Sequence, residues 1–325
     1  MAVLVTGGAG FIGSNLVSAL VSENEEVHVL DNLSSGRLES LERFKKNPKF
    51  FFHRMDLLHK ESLTVPSDCK TVYHLAANPE VRVGFTNPDV HFYQNIVTTF
   101  NLLEAARKSG VETLVFASTS TVYGDAQAVP TPEDYSPLEP ISMYGASKLA
   151  CESIMVSYAH TYGMQVIIYR LANIIGADST HGVIFDFVNK LLKDPSRLEV
   201  LGDGSQNKSY LHISDCISAI LAGVKASKQE KKVSVYNVGS QDQVKVSDIA
   251  SAVIQAMGSI MSPGGARIEF TGGVDSGRGW KGDVKNMLLD VRRIMALGWK
   301  PKYGSLDAVR LTAGELVKGV AYQKK

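Results

Sequence analysis

The stretch Thr6-Gly-Gly-Ala-Gly-Phe-Ile-Gly13 decides the fold class of this chain of 325 residues. It follows an apolar, strand-like run, Ala2–Val5, and precedes a helical pattern, Asn15–Glu23. Glycines at such a junction allow a tight turn, a close approach of the backbone to a pyrophosphate, and packing of the helix on the strand. The first turn of the helix adds free N–H groups that attract phosphate. The residues predicted to contact a dinucleotide here are Gly7, Gly10, Phe11, Ile12 and Gly13.

The first half of the chain alternates short apolar runs with helical patterns such as Asn95–Lys108. Further strand-like runs are Val27–Leu30, Phe50–His53, Thr71–Leu75, Thr113–Phe116 and Val166–Tyr169. Runs this continuous are typical of strands buried on both faces. Their alternation with helices predicts βαβ units. The predicted fold class is α/β, a doubly wound parallel sheet with a smaller mixed α/β domain for the substrate.

The regular alternation ends near Asn173. Helical patterns continue at Ile184–Leu192, Asp215–Val224 and Val246–Met257, with glycine-rich polar loops between them. We therefore predict two domains, residues 1–172 for the nucleotide and residues 173–325 for the substrate. The late run Val235–Val238 could rejoin the first sheet.

The composition excludes several classes of protein. The 34 basic and 33 acidic residues leave a net charge of +1, which argues against an extended nucleic-acid surface. No apolar stretch approaches the ~18 residues of a membrane span, and the first residues show no targeting segment. The cysteines, Cys69, Cys151 and Cys216, are too scattered for a disulfide framework, which favours the cytoplasm. The eight histidines show no metal-binding spacing, so no metal is predicted.

Asp31 bears on the choice of dinucleotide. It ends the second strand-like run, where a carboxylate can accept both hydroxyls of a ribose. Because a carboxylate repels a 2′-phosphate, NAD is favoured over NADP. Arg37 is a counter-argument, although a solvated surface arginine is the simpler interpretation. Asp56, before Leu57, either accepts from the adenine amino group or caps a loop.

Tyr144 and Lys148 lie four residues apart and share one face of a helix. A phenol, with an ordinary pKa near 10, becomes a base only when positive charge favours the phenolate. The segment Ser118–Gly124 follows a strand-like run, and ligands bind beyond the carboxyl ends of parallel strands. A hydroxyl there can hydrogen-bond the reacting oxygen beside the tyrosine, which acts as general base.

Together these motifs resemble the extended short-chain dehydrogenase/reductase family, most closely its UDP-glucose (UDP-galactose) 4-epimerase branch, over nearly the whole chain. The resemblance implies a Rossmann domain and catalysis by Tyr144 as base, Lys148 and Thr119. The other implied NAD-binding residues are Asp31, Asn32, Ser35, Gly36, Asp56, Leu57, Leu75, Ala76, Ala77, Asn95 and Ser118. The residues implied to bind a UDP-sugar are Thr119, Tyr144, Asn173, Val183, Lys208, Arg278 and Asp283.

The implied reaction is a transient oxidation at sugar C4, rotation of the 4-keto intermediate and return of the hydride. The 4,6-dehydratases of the family carry an Asp-Glu pair where this chain has Ser120 and Thr121, and hydroxyls cannot replace that acid and base. Epimerisation of UDP-glucuronate or a UDP-N-acetylhexosamine, and decarboxylation to UDP-xylose, stay open. A non-catalytic NAD-binding regulator is the alternative of another class.

The chain departs from the family at the diphosphate. Lys208 stands where an arginine is usual, and a lysine lacks the bidentate fork. Arg278 is the candidate for the phosphates, with Lys281 as competitor, and Arg82 is either a phosphate contact or a surface ion pair. Met287, a residue of intermediate size, favours an unacetylated sugar. The resemblance also implies a homodimer formed through helices near Asp89–Lys108 and Tyr144–Tyr162.

Overall fold

The computed structural model describes residues 1–227, 231–258 and 265–323. The chain divides into two compact units, each assembled from three segments. Unit 1 consists of Met1–Val122, Leu138–Arg170 and Ile217–Tyr236; unit 2 consists of Tyr123–Pro137, Leu171–Cys216 and Asn237–Lys325. Among the helices of the described residues, none is both long and apolar enough to cross a bilayer.

The strands, in chain order, are β1 (Ala2–Thr6), β2 (Glu26–Asp31), β3 (Phe50–Arg54), β4 (Cys69–His74), β5 (Thr113–Thr119), β6 (Gln165–Leu171), β7 (Asn173–Ile175), β8 (Arg197–Val200), β9 (Asn207–Lys208), β10 (Tyr210–His212), β11 (Val233–Val238), β12 (Val244–Lys245), β13 (Arg267–Phe270) and β14 (Asn286–Met287). The α-helices are α1 (Phe11–Ser22), α2 (Val83–Thr86), α3 (Asp89–His91), α4 (Thr98–Lys108), α5 (Met143–Tyr162), α6 (Val183–Lys193), α7 (Ile213–Ala226), α8 (Val246–Met257), α9 (Arg292–Met295) and α10 (Ser305–Gln323).

Unit 1 is organised around one sheet, which in the described residues has the strand order β11-β6-β5-β4-β1-β2-β3. The pairs β1–β2, β2–β3, β1–β4 and β4–β5 are parallel. This confirms the predicted doubly wound α/β fold. The run Val235–Val238 lies in β11, beside β6 at one end of this sheet. The helix predicted at Asn95–Lys108 begins as a π-helix, Phe92–Val97, which continues into α4.

The direction of chain winding reverses between β1 and β4. From β1 the chain proceeds outward to β2 and β3, then returns to β4 on the other side of β1. Ligands of such sheets bind in the crevice that opens beyond the carboxyl ends of the strands at this reversal. The glycine-rich stretch after β1 and the Leu75–Ala77 segment after β4 both lie there.

Unit 2 has small sheets and helices in place of a continuous sheet. Its strands pair as β7 with β10, β8 with β13, and β9 with both β12 and β14. The apolar faces of α6, α8 and α10 form its core, with residues such as Phe187, Ile249 and Val309 almost fully buried. The unit positions the short strand β9, which carries Lys208, and β14, which carries Met287.

Candidate active site

The glycine-rich stretch forms the turn that its sequence predicts. Gly7 has φ of 69°, and a Cβ there would lie 2.6 Å from the backbone nitrogen of Ala76. A Cβ on Gly13 would lie 2.1 Å from the Gly7 carbonyl oxygen. Only glycine fits either position, so the turn after β1 packs directly on the segment after β4. The predicted residues Gly7, Gly13 and Ala76 are therefore brought together.

The start of α1 is suited to an anion. Its N-cap is Gly10, which supplies no capping side chain, and no acidic residue lies in the first turn. The N–H groups of Phe11, Ile12 and Gly13 are thus available for a diphosphate, since the first turn of a helix has no intrahelical acceptors. This open helix terminus beside a glycine turn fits the pyrophosphate of NAD.

Asp31 lies at the carboxyl end of β2 and is almost fully buried. Its Oδ2 accepts from the Ala9 N–H at 2.9 Å and its Oδ1 from the Leu33 N–H at 2.8 Å. Gly36 packs against Ala9, and the Asn32 amide donates to Asp56 Oδ2 at 3.0 Å. The structure thus gathers the predicted acidic residues and their neighbours around the glycine turn.

The remaining predicted cofactor residues differ in their exposure. Ser35 is exposed, and Leu75, Ala76 and Ala77 are half-buried. Leu57 lies in the core of unit 1. The side chain of Asn95 is buried, accepts from the Asn78 N–H at 2.8 Å and donates to Ser147 Oγ at 2.9 Å. Asn95 therefore ties the π-helix to α5.

Tyr144 stands in the first turn of α5, next to the end of β5. Ser142 caps this helix by accepting from the Gly145 N–H at 3.1 Å. A Cβ on Gly145 would lie 2.8 Å from the Thr121 carbonyl oxygen, so glycine allows α5 to approach the turn after β5. The Thr119 hydroxyl lies close enough to the Tyr144 phenol to favour its ionisation, and it also contacts Thr121 Oγ1 at 3.1 Å. The predicted base and hydroxyl group therefore meet.

Burial governs the protonation of this pair in the chain by itself. The family resemblance implies that Lys148 lowers the pKa of Tyr144, with help from the positive charge of oxidised NAD. Burial instead raises the pKa of Tyr144 to about 12, and the hydrogen bond with Thr119 only partly opposes this. Lys148 is buried, donates from Nζ to the Ala117 carbonyl at 2.8 Å, and lies 4.6 Å from the centroid of the Phe116 ring. The side chains of this chain alone therefore hold the phenol in its protonated form.

Burial also lowers the pKa of Lys148, to about 8, although Cys151 and Glu152 favour its charged form. Glu152 follows one turn later on α5 and accepts a short hydrogen bond from Ser118 Oγ. Arg170, at the end of β6, makes a buried ion pair with Glu152 at 2.7 Å. Lys148 thus contacts Ala117 and Glu152 contacts Ser118, the two residues of β5 that precede Thr119.

In unit 2, Lys208 and Asp283 form an ion pair with 2.6 Å between Nζ and Oδ1. The Asp283 carboxylate is buried, and its Oδ2 also accepts from the Gly279 N–H at 3.2 Å. The Lys208 ammonium lies 5.7 Å from the centroid of the Trp280 ring. Two of the predicted substrate residues therefore occupy one site, bonded to each other.

Arg278 bonds to Asp125 through two guanidinium nitrogens, at 3.1 and 2.9 Å, and donates to the Asp283 carbonyl. The neighbouring candidate Lys281 is exposed. Outside this unit, Arg82 makes an exposed ion pair with Glu80 at 3.1 Å. Arg278 therefore joins Lys208 as a candidate cation in contact with Asp283.

The other predicted substrate residues of unit 2 lie on neighbouring elements. Asn173 donates from its side chain to the Ser209 carbonyl at 2.9 Å. Val183 is the first residue of α6, whose Gly182 N-cap provides no capping side chain. Met287 is buried on β14 and pairs with Lys208 on β9.

Three contributors to the site escaped the sequence analysis. Asp125 is 153 residues from its partner Arg278, and no spacing rule reveals such a pair. Glu152 follows Lys148 by four residues and was detectable as an acidic residue on the same helical face. His91 lies against the Tyr144 ring, with ring centroids 5.7 Å apart, and had no signal in the sequence.

Comparison with known proteins shows the family to which the chain belongs. Residues 3–239 match the model of the NAD dependent epimerase/dehydratase family. The chain is 31% identical over 316 residues to a putative UDP-glucose 4-epimerase of Methanocaldococcus jannaschii, covering 95% of this chain and 96% of that protein.

Two solved structures extend the likeness to the whole fold. A crystal structure of a UDP-galactose 4-epimerase is 43% identical, with a TM-score of 0.85 over 98% of this chain and 100% of that one. A UDP-glucuronic acid 4-epimerase from Bacillus cereus, solved with UDP-glucuronic acid and NAD, is 28% identical with a TM-score of 0.86 over 98% and 100%.

Proposed function

The chain belongs to the NAD-dependent epimerase/dehydratase family and takes NAD as its cofactor, and on that premise we propose that it interconverts UDP-glucose and UDP-galactose at sugar C4. It is an enzyme of the UDP-sugar epimerase/dehydratase kind, for which an isomerase-type reaction is supported. The observation that carries the proposal is the meeting of Tyr144, Thr119 and Lys148 at the end of β5.

In this proposal Tyr144 takes the proton of the sugar 4-hydroxyl, which Thr119 orients through its hydroxyl group. When bound, oxidised NAD supplies a hydride acceptor and a positive charge near the phenol, and the charge matters because burial alone raises the pKa of Tyr144 to about 12. Tyr144 Oη holds the proton while the sugar is a ketone and returns it when the alcohol forms again. No net oxidation results, so the cofactor stays in place.

Lys148 has a supporting role. Its ammonium is held by the Ala117 carbonyl at 2.8 Å, so it is fixed beside the strand that carries Thr119. With a pKa lowered by burial to about 8, it is mostly charged at neutral pH. We assign to it the ribose hydroxyls at the nicotinamide end and a charge that favours the phenolate.

Substrate anchoring is assigned to unit 2. Arg278 and Lys208 are the cations for the diphosphate, Asp283 accepts from the uridine ribose, and Asn173 and the backbone at Val183 complete the nucleotide site. An enzyme that returns hydride to both faces of a hexose cannot hold the hexose tightly. Binding energy is better placed on the UDP part, which does not react.

A second candidate is a 4-epimerase of UDP-glucuronate or of UDP-N-acetylhexosamines. Its support is the similarity to the Bacillus cereus enzyme, which was solved with UDP-glucuronic acid and NAD. The argument against a dehydratase rests on the sequence, which has Ser120 and Thr121, in a short 3-10 helix after β5, where an acid and a base are required.

The deciding experiment separates these substrates. Purified protein with NAD is incubated with UDP-glucose, UDP-galactose, their N-acetyl forms and UDP-glucuronate, and the products are resolved by chromatography. We expect the 4-epimer from UDP-glucose and UDP-galactose at the highest kcat/KM. No turnover of any UDP-hexose would sink the proposal, and NAD binding without turnover of any sugar would favour a regulator.

We also propose that the chain forms a homodimer in the cytoplasm. Exposed aromatic residues cluster on the two helical regions that the family resemblance implicates: Phe92, Tyr93, Phe100 and Tyr162. Aromatic side chains dominate the energetics of protein interfaces. Sedimentation of Phe100→Glu should give a monomer, whereas Phe270→Glu, an equally exposed aromatic in unit 2, should leave the dimer intact. A monomeric parent protein at micromolar concentration would contradict the proposal.

A further inference from the structure

A second cluster of chemically active side chains lies at the amino ends of β2 and β4. The cluster consists of His28, Asp68 and Cys69, and in the part of the chain that the structure describes it is the one group of three such residues with metal-ligand proximity. One donor atom of each residue lies within 4.8 Å of the other two. Thr119, which we assign to catalysis, lies at the carboxyl end of β5 in the same sheet, so this cluster is at the opposite edge.

The register of the sheet explains why residues far apart in sequence meet. β1 lies between β2 and β4, and Ala2 pairs with Glu26 on one side and Cys69 on the other. His28 is two residues further along β2, on the same face as Glu26. The β1–β4 register shifts between Ala2 and Val3, and with this pairing a donor atom of His28 lies within 4.8 Å of the Cys69 sulfur.

The donor set has the chemistry of a zinc site. Thiolate, imidazole and carboxylate are the ligands of Zn²⁺, usually in a tetrahedron. A fourth donor is near, because Glu26 Oε1 lies 3.2 Å from His28 Nε2. The other ring nitrogen of His28 lies 3.1 Å from His53 Nε2, and a hydrogen bond there would leave Nε2 of His28 as the nitrogen that binds a metal.

Access and burial are also consistent with a metal. Asp68 is exposed, so an ion can enter from solvent, whereas His28 and Cys69 are buried. Burial and the carboxylates of Asp68 and Glu26 raise the pKa of Cys69 to about 12, so the metal-free thiol keeps its proton. The same two carboxylates favour a divalent cation, which would displace that proton.

We propose that His28, Asp68 and Cys69 bind one zinc ion that links β2 to β4 across β1, with Glu26 at the fourth position. Zinc–ligand distances of about 2.0–2.3 Å place tetrahedral ligands about 3.3–3.8 Å apart. Because the donor atoms of His28, Asp68 and Cys69 lie within 4.8 Å of one another, they need to close by no more than about 1.5 Å. The role is structural, because the site lies at the edge of the sheet away from Tyr144.

Cobalt tests the site directly, because Co²⁺ bound by a thiolate has a charge-transfer absorption that other ligands do not give. Reduced, chelator-treated full-length protein is titrated with Co²⁺, and zinc is then added. We expect the band to saturate at one equivalent and to disappear when zinc replaces cobalt. Cys69→Ser should lose the band, and Asp68→Asn should weaken zinc binding at least about tenfold, as loss of a ligand or its support does.

Cys216→Ser is the matched control, since Cys216 is equally buried, has a pKa raised by burial to about 12, and lies outside the cluster. It should keep the cobalt band. Asp68 is exposed, so its variant reports on the site even where Cys69→Ser fails to fold. Absence of a cobalt band in the parent protein, or its persistence in Cys69→Ser, would overturn the proposal.

Discussion

The two units of the molecule hold their functional cations in opposite ways. In unit 1, Lys148 contacts neutral groups, the Ala117 carbonyl and the Phe116 ring. In unit 2, Lys208 contacts Asp283 and Arg278 contacts Asp125, so both of these candidate cations are paired with a carboxylate. A lysine that contacts only neutral groups can interact with a ligand without first breaking an ion pair. A cation that is paired with a carboxylate must release that carboxylate before it can bind a phosphate.

This difference matches the two ligands that we assign. A cofactor that stays bound suits a site with permanently oriented groups, because preorganised dipoles need no rearrangement during the reaction. A nucleotide sugar must bind and leave in each cycle. Asp283 and Asp125 compete with the diphosphate for Lys208 and Arg278. This competition limits how tightly the product is bound.

The largest test of the comparison is Tyr144→Phe. Removal of a general base lowers turnover by about 10²–10⁴-fold, and the assignment of the reactive proton to unit 1 requires a loss of that size. NAD binding, measured by fluorescence titration, should change by less than about twofold. Tyr162→Phe, on the same helix and exposed, is the control and should keep full activity. Unchanged turnover in Tyr144→Phe would refute the role of the phenol.

Glu152→Gln tests whether the fixed surroundings of unit 1 depend on the buried ion pair. The change leaves the Arg170 guanidinium buried without its counter-charge, which typically lowers the free energy of unfolding by about 3–5 kcal/mol. Urea denaturation measures the loss. Glu42→Gln breaks the exposed pair with Lys45 and should lower it by less than about 1 kcal/mol. Equal decreases in the free energy of unfolding in the two variants would show that the buried ion pair stabilises the protein no more than the exposed one.

The pH dependence of stability tests the buried Lys148. Its folded-state pKa of about 8 lies below the ordinary value of 10.5, so the unfolded chain binds the extra proton between these values. The contribution of Lys148 to stability must therefore rise with pH across that window, and below pH 8 the group opposes folding by about 3 kcal/mol. Lys148→Met should lack this rise in urea titrations between pH 8 and 10. The same slope in both proteins would contradict the burial of a charged lysine.

Arg278→Met tests the exchange of partners in unit 2. Loss of a hydrogen bond to a charged group corresponds to about 1.5–3 kcal/mol, so KM for the UDP-sugar should rise at least about tenfold. NAD affinity should stay constant, because the assigned NAD-binding residues lie in unit 1. Lys281→Met, in the same loop, is the matched control. A larger effect in Lys281→Met would transfer the phosphate contact to that residue.

The smallest effect is expected from Asp125→Asn. The variant keeps the size of the side chain and removes the charge that competes for Arg278. A partly exposed ion pair is worth less than about 1 kcal/mol, so binding of UDP, measured by calorimetry, should tighten by no more than about fivefold. Weaker binding would mean that Asp125 positions the guanidinium and does not compete with the ligand.

The sequence was most informative where a local pattern determines the structure. The turn at Gly7–Gly13 and the Tyr144–Lys148 pair depend on backbone conformation and helical periodicity, so both were predictable. The partners of Arg278 and Arg170 were not, because such contacts depend on how distant segments pack. The raised pKa of Tyr144 was also missed, since it results mainly from burial and burial cannot be deduced from the motif.

The same limit applies to the zinc proposal. His28 and Cys69 are separated by some forty residues, and no metal motif has that spacing. Only the alignment of β2 and β4 on either side of β1 brings them together. The absence of a metal-binding spacing therefore excludes only metal sites whose ligands are close in the sequence. It does not exclude sites whose ligands lie on different strands of a sheet.

The return of the chain to unit 1 has a consequence for synthesis on the ribosome. Ile217–Tyr236 belongs to unit 1, and Tyr169 in β6 donates to the Ile220 carbonyl at 2.8 Å and packs on Gly223. The growing polypeptide cannot complete unit 1 until Tyr236 has left the exit tunnel, by which time much of unit 2 has already emerged. A truncation after residue 172 should consequently yield an unfinished sheet that requires chaperones, and not a portable nucleotide-binding module.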